Sequence, residues 1–229
     1  VLASPSAVLQ APPGSGKTTR TPLALLDVIP QEKGRILMLE PRRIAAVSAA
    51  RWMAKTLGEE IGGTMGYSIR FESRVSEKTR IEVVTEGILT RRIQADASLP
   101  GIGLVVLDEV HERNLQGDLA LALLVDVRPV LRPDLRVLAM SATIAADRFA
   151  AVLGRADGGG AAPVIASEGL AHPVDLRWVP APARSRMEDQ VEIECETCHG
   201  TNEAYATGRT RRGNLVSHLA KKDDGWYLT

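Results

Sequence analysis

The sequence carries no excess of either charge, because 28 lysines and arginines match 28 aspartates and glutamates. Net charge therefore gives no sign of nucleic-acid binding, and only a local basic face could serve that purpose. No apolar run approaches the roughly 20 residues that span a bilayer. The start, VLASPSAVLQ, has neither the basic region nor the long apolar core of a signal peptide. A soluble, cytoplasmic protein with no membrane partner is expected. Cysteine is scarce: Cys195 and Cys198 are the only two and lie too close together for a disulfide framework, which suits a reducing compartment. Internal repeats are lacking, and so is an initiator Met, which suggests a chain that begins inside a longer gene.

What is present is enough apolar content, 45% of 229 residues, to bury one substantial core with room for a small appendage. Short apolar runs read as strands at Ala7 to Gln10, Arg35 to Glu40, Thr64 to Arg70, Ile81 to Thr85, Leu104 to Glu109, Arg136 to Ala142 and Pro163 to Ser167. Helical stretches separate most of them: Lys17 to Val28, Arg42 to Leu57, Glu86 to Ala95, Asp118 to Val127 and Ala146 to Leu153. This alternation predicts an α/β fold, a mainly parallel sheet with helices on both faces. From about Glu188 the texture turns polar and the rhythm stops, a candidate domain boundary.

The strand AVLQ runs directly into APPGSGKTT, Ala11 to Thr19, which fits a phosphate-binding loop opening a helix. Gly14 and Gly16 let backbone N–H groups turn toward phosphate oxygens, Lys17 reaches the β- and γ-phosphates, and the Thr18 hydroxyl can ligate Mg²⁺. A second signal is GLVVLDEVHER, where a run built for burial ends in Asp108 and Glu109. Burying charge is costly without a partner. At the carboxyl end of a parallel strand the partner is a ligand in the crevice: Asp108 suits the metal and Glu109 the attacking water.

GKTT (Gly16 to Thr19), LEPRR (Leu39 to Arg43), GYSIRFES (Gly66 to Ser73), EKTRIEVVTEGIL (Glu77 to Leu89), DEVH (Asp108 to His111) and SAT (Ser141 to Thr143) occur in the order of the DEAH-box helicases. The chain resembles that family, and APPGSGKTTRTPLALL with LRPDLRVLAMSAT look most like its bacterial HrpB type. The resemblance covers residues 1–187 and implies a three-layer RecA-like P-loop NTPase domain, the first of two in a helicase core. By similarity Gly14, Ser15, Gly16, Lys17, Thr18 and Thr19 bind ATP or another NTP, with Thr18 and Asp108 on Mg²⁺. Lys17, Asp108, Glu109 and His111 form the catalytic set, and His111 with Ser141 and Thr143 couples hydrolysis to strand movement. Val110 stands where the family name has Ala, a change confined to an apolar slot.

Arg42 and Arg43, after a strand end, and Thr85 with Gly87, at a helix start, are the expected contacts to single-stranded RNA or DNA through its backbone. Such binding depends strongly on salt and little on sequence. The resemblance also implies a partner absent from this chain, a second RecA-like domain with an arginine-bearing motif, so weak hydrolysis and no unwinding are expected. In the tail, residues 188–229, CETCH (Cys195 to His199) matches half of a zinc site, which only His199 and His218 could supplement. Its haem-attachment reading conflicts with the lack of an export signal. The competing function is a P-loop nucleotide-binding regulatory protein with a Cys-containing interaction tail.

Overall fold

The computed structural model describes residues 4–142 and 146–167 together with the strands at 175–178 and 191–194. Strand and helix alternate as β1 (Ser6–Gln10), α1 (Lys17–Leu26), β2 (Arg35–Leu39), α2 (Arg43–Thr56), β3 (Met65–Ile69), β4 (Glu72–Arg74), β5 (Ile81–Val84), α3 (Glu86–Ala95) and β6 (Ile102–Leu107). They continue with α4 (Leu115–Leu131), β7 (Arg136–Ser141), α5 (Ala146–Ala156) and β8 (Val164–Ala166). The chain divides into two units, residues 1–12 with 16–168, and residues 13–15 with 169–229. In the second unit, β9 (Asp175–Trp178) and β10 (Val191–Glu194) pair antiparallel, Asp175 opposite Glu194. Cys195, Cys198, His199 and His218 lie outside the described residues, as does Thr143.

The first unit is built on one eight-stranded sheet in the order β4-β3-β5-β2-β6-β7-β1-β8. Every neighbouring pair in it is parallel except β3 with β4. Parallel neighbours need crossovers, and helices supply them. Because side chains alternate along a strand, the apolar runs feed two cores. Leu37, Leu39, Val105, Leu107, Val137 and Ala139 pack against Leu89, Leu121, Leu124 and Phe149 from α3, α4 and α5. Ile36, Met38, Leu104, Val106, Leu138 and Met140 pack against Leu25, Ala50 and Met53 from α1 and α2. The result is the expected three-layer architecture. Burying one such Leu, Ile or Met contributes about 1.5–3 kcal/mol.

Three details depart from the sequence expectation. α4 extends beyond Asp118 to Val127 at both ends, and it starts early because Asn114 caps it by accepting the Gly117 N–H at 2.7 Å. β6 stops at Leu107, which leaves both carboxylates just beyond the ladder. β4 was unforeseen: it forms a short antiparallel edge, and the turn before it holds Phe71 at φ 69°, a conformation with no glycine to announce it.

Candidate nucleotide site and nucleic-acid face

Register decides which loops meet. Leu39 pairs with Leu107 and with Val84, and Gln10 pairs with Ser141, so β1, β7, β6, β2 and β5 end along one edge. Beyond the ladder the loops stay joined: Asp108 N–H donates to the Leu39 carbonyl and Ala11 N–H to the Ser141 carbonyl, both at 3.0 Å.

The phosphate loop needs glycine at two places. Gly14 has φ 75° and Gly16 φ 81°, in the left-handed region that L side chains avoid. A Cβ on Gly14 would meet nothing within 4 Å, which leaves that backbone open to approach. Gly16 caps α1, whose first turn holds no acidic residue, so the positive end of the helix is uncompensated and suits a phosphate.

Lys17, the first residue of α1, is only 6% exposed, and its Nζ lies 2.9 Å from Glu109 Oε1. The other oxygen, Glu109 Oε2, lies 3.3 Å from His111 Nδ1. That same nitrogen accepts the Ala142 N–H at 3.3 Å, immediately after β7. One imidazole nitrogen cannot do both: its lone pair takes the Ala142 proton, whereas pairing with Glu109 needs Nδ1 protonated. His111 thus stands between the carboxylate and the strand end with two exclusive partners. Glu109 and Arg113, flanking the 3₁₀ turn Val110–Glu112, both have φ 51°, so this turn is held in strained backbone.

Asp108 is 2% exposed. Its Oδ1 accepts the Glu109 N–H at 2.8 Å and the Thr18 side chain donates to the carboxylate, while Oδ2 is buried without a hydrogen-bond partner. Burial and the neighbouring Glu109 charge push its carboxyl up to about 6, against the pull of Thr18 and Lys17. Glu40 joins it one residue past β2, 4% exposed, its carboxyl raised well above the usual range by burial and by the Asp108 charge. Sequence reasoning missed this third carboxylate. Its signal was there, since ILMLE repeats the pattern of LVVLDE, but LEPRR was read only for its arginines. An orphaned buried carboxylate oxygen, a hydroxyl beside it and an excess of negative charge fit a Mg²⁺ that takes most of its ligands from phosphate and water. Among the described residues no group of three or more His, Cys, Asp or Glu could hold a metal unaided.

The expected nucleic-acid residues leave neighbouring strands at this same edge. Arg42 is already engaged, its Nη2 lying 2.6 Å from Glu112 Oε1. Arg43 is exposed and has no ion pair among the described residues. Thr85 precedes α3 and makes no side-chain cap, and Gly87 is exposed with open space where a Cβ would stand. Ser141 ends β7 fully buried. Among the described residues no helix is long and apolar enough to cross a membrane.

A glycine-lined loop on a helix start, a buried lysine and paired carboxylates at the strand ends of a parallel sheet define a P-loop NTPase of RecA-like fold. Residues 1–151 match the DEAD/DEAH box helicase family, and the chain belongs to it. It is 50% identical over 190 residues to the ATP-dependent RNA helicase HrpB of Escherichia coli K12, an alignment covering 83% of this chain and 23% of that protein. It is 36% identical over 196 residues to the ATP-dependent RNA helicase HrpA homolog of Haemophilus influenzae, covering 86% and 14%. The crystal structure of the Escherichia coli DEAH/RHA helicase HrpB superposes with a TM-score of 0.71 at 50% identity, over 82% of this chain and 23% of that one. The chain thus spans less than a quarter of the length of these relatives.

Proposed function

We propose that residues 1–187 are the first RecA-like domain of an ATP-dependent helicase that moves on single-stranded RNA in the cytoplasm. The observation that carries this is the run of contacts from Lys17 through Glu109 and His111 to Ala142, which links the phosphate loop to the strand end that follows it. Bound nucleotide with Mg²⁺ would supply the reacting phosphate and the cation that neutralises its charge. Gly14 to Thr19 hold the phosphates, with Thr18 and Asp108 on the metal. Lys17 exchanges its ion pair with Glu109 for a phosphate, which releases Glu109 to orient the water and take its proton. His111 follows the state of Glu109 and passes it to Ser141, Ala142 and Thr143. Arg43, Thr85 and Gly87, with Arg42, hold the strand backbone.

A second RecA-like domain would complete the site with an arginine, worth about 10³–10⁵ in turnover for enzymes of this kind. Residues 188–229 lie outside this domain. A zinc ion on Cys195 and Cys198 would need two further ligands, and metal content near zero would dispose of it. The test of the main reading is Mg²⁺-dependent ATP turnover with and without single-stranded RNA, in the wild type and in Lys17→Ala. RNA stimulation that vanishes in Lys17→Ala supports the helicase reading. RNA-indifferent nucleotide binding would point instead to a regulatory P-loop protein.

A further inference from the structure

Glu86 opens α3 between Thr85 and Gly87 and is half-buried. One oxygen, Oε1, is buried without a hydrogen-bond partner. The side chain accepts a hydrogen bond from the Asn114 amide, and Asn114 in turn caps α4 by accepting the Gly117 N–H. Gly117 lies close against both, since a Cβ there would sit 3.3 Å from Glu86 Oε1 and 3.2 Å from Asn114 Oδ1. Glu86, Asp108, Glu109, Asn114 and Gly117 also wall a cavity of about 10 Å³. That is about the least space that holds one water, and Glu86, Asp108 and Asn114 offer it polar groups on an otherwise largely apolar wall. An acidic group in the first turn of a helix is ordinarily solvated near the free amides. Here burial raises its carboxyl, and the orphan oxygen calls for a partner.

We propose that Glu86 is a positioning residue that, through Asn114 and one buried water, ties the nucleic-acid-facing start of α3 to the turn carrying Asp108 and Glu109. A backbone phosphate gathered at Thr85 and Gly87 fixes the first turn of α3. Glu86 then fixes the Asn114 cap, and with it the strained turn from Glu109 to Arg113. The proposal rests on the helicase reading. It adds that the coupling runs through this carboxylate, and linkage makes the effect reciprocal: RNA tightens nucleotide by the same factor as nucleotide tightens RNA.

The test uses the full 229-residue chain and measures the Kd of a non-hydrolysable ATP analogue with Mg²⁺, with and without saturating oligouridylate. Wild type should show tightening of roughly 5-fold or more. Glu86→Gln, which keeps an acceptor for Asn114 and a polar group for the water, should retain that factor. Glu86→Leu should bring it to about 1 while the Kd measured without RNA stays within about 2-fold of wild type. Asn114→Asp gives a second route, because aspartate still caps α4 but repels Glu86, and it should abolish the factor too. A Glu86→Leu chain that keeps the wild-type factor and changes only its melting temperature would overturn the proposal, as would a wild type that binds both ligands without coupling. A wild type that binds neither ligand would bring down the helicase reading itself, and the proposal with it.

Discussion

Asp108 is destabilising in the folded chain, and its removal should show this. The carboxylate is 2% exposed, leaves Oδ2 without a partner, and has a carboxyl pushed up to about 6 from the ordinary aspartate value. A folded pKa raised above the unfolded one means that the unfolded chain releases this proton first, so stability falls as pH rises between the two values and stays low above them. A shift of about two units corresponds to about 3 kcal/mol at pH 7.5, shrinking below about 1 kcal/mol at pH 4. Asp108→Asn keeps the acceptor for the Glu109 N–H and never ionises. It should therefore stabilise the ligand-free chain at pH 7.5, with a gain over wild type that is smaller by about 2 kcal/mol at pH 4. Urea unfolding of both chains at the two pH values reads this as a shift in midpoint at constant slope. A gain that does not change with pH, or a loss at pH 7.5, would refute the argument. The same substitution should abolish Mg²⁺-dependent turnover, the usual exchange of stability for function in a site built around an ion.

Glu109→Gln should lower turnover by about 10²–10⁴-fold without weakening nucleotide binding, since Lys17 loses the partner it must leave to reach a phosphate; single-turnover kinetics and a nucleotide titration separate the two effects. Arg43→Ala should reduce the slope of log K against log salt for single-stranded RNA by about 0.7, one phosphate contact. Arg42→Ala should change that slope less, because Glu112 already neutralises Arg42. Gly154→Ala should destabilise the fold by about 1–3 kcal/mol, seen as a lower melting temperature, because the new Cβ would fall 1.8 Å from the Gly160 carbonyl oxygen and 2.6 Å from the Ala162 nitrogen. Backbone on both sides leaves it no easy escape.

Legibility in this chain tracked the distance over which a residue's meaning is set. Asp108 and Glu109 could be read because they sit one and two residues from the end of an apolar run, and Lys17 and Thr18 because a glycine-rich loop joins another such run to a helix, so the strand, the ligand edge and the charge are all local signals. The two cores were readable for the same reason, since alternation along Ile36 to Leu39 and Leu104 to Leu107 is a property of each strand alone. Glu40 has the same local signal, but what it meets does not: it becomes a neighbour of Asp108 only once β2 and β6 are in register with Leu39 beside Leu107. Arg42 likewise looked free until Glu112, 70 residues on, took its guanidinium. The same holds for Arg128, buried against Ser6 at the start of β1 and Asp157 just after α5, and for Glu82, held between Arg92 and Ser68. Arg128 and Glu82 are buried, and their burial is tolerated because a partner arrives from another element. A motif can therefore name the residues that meet a ligand, but which carboxylates crowd it, and which arginine beside it is spare, is settled by strand register.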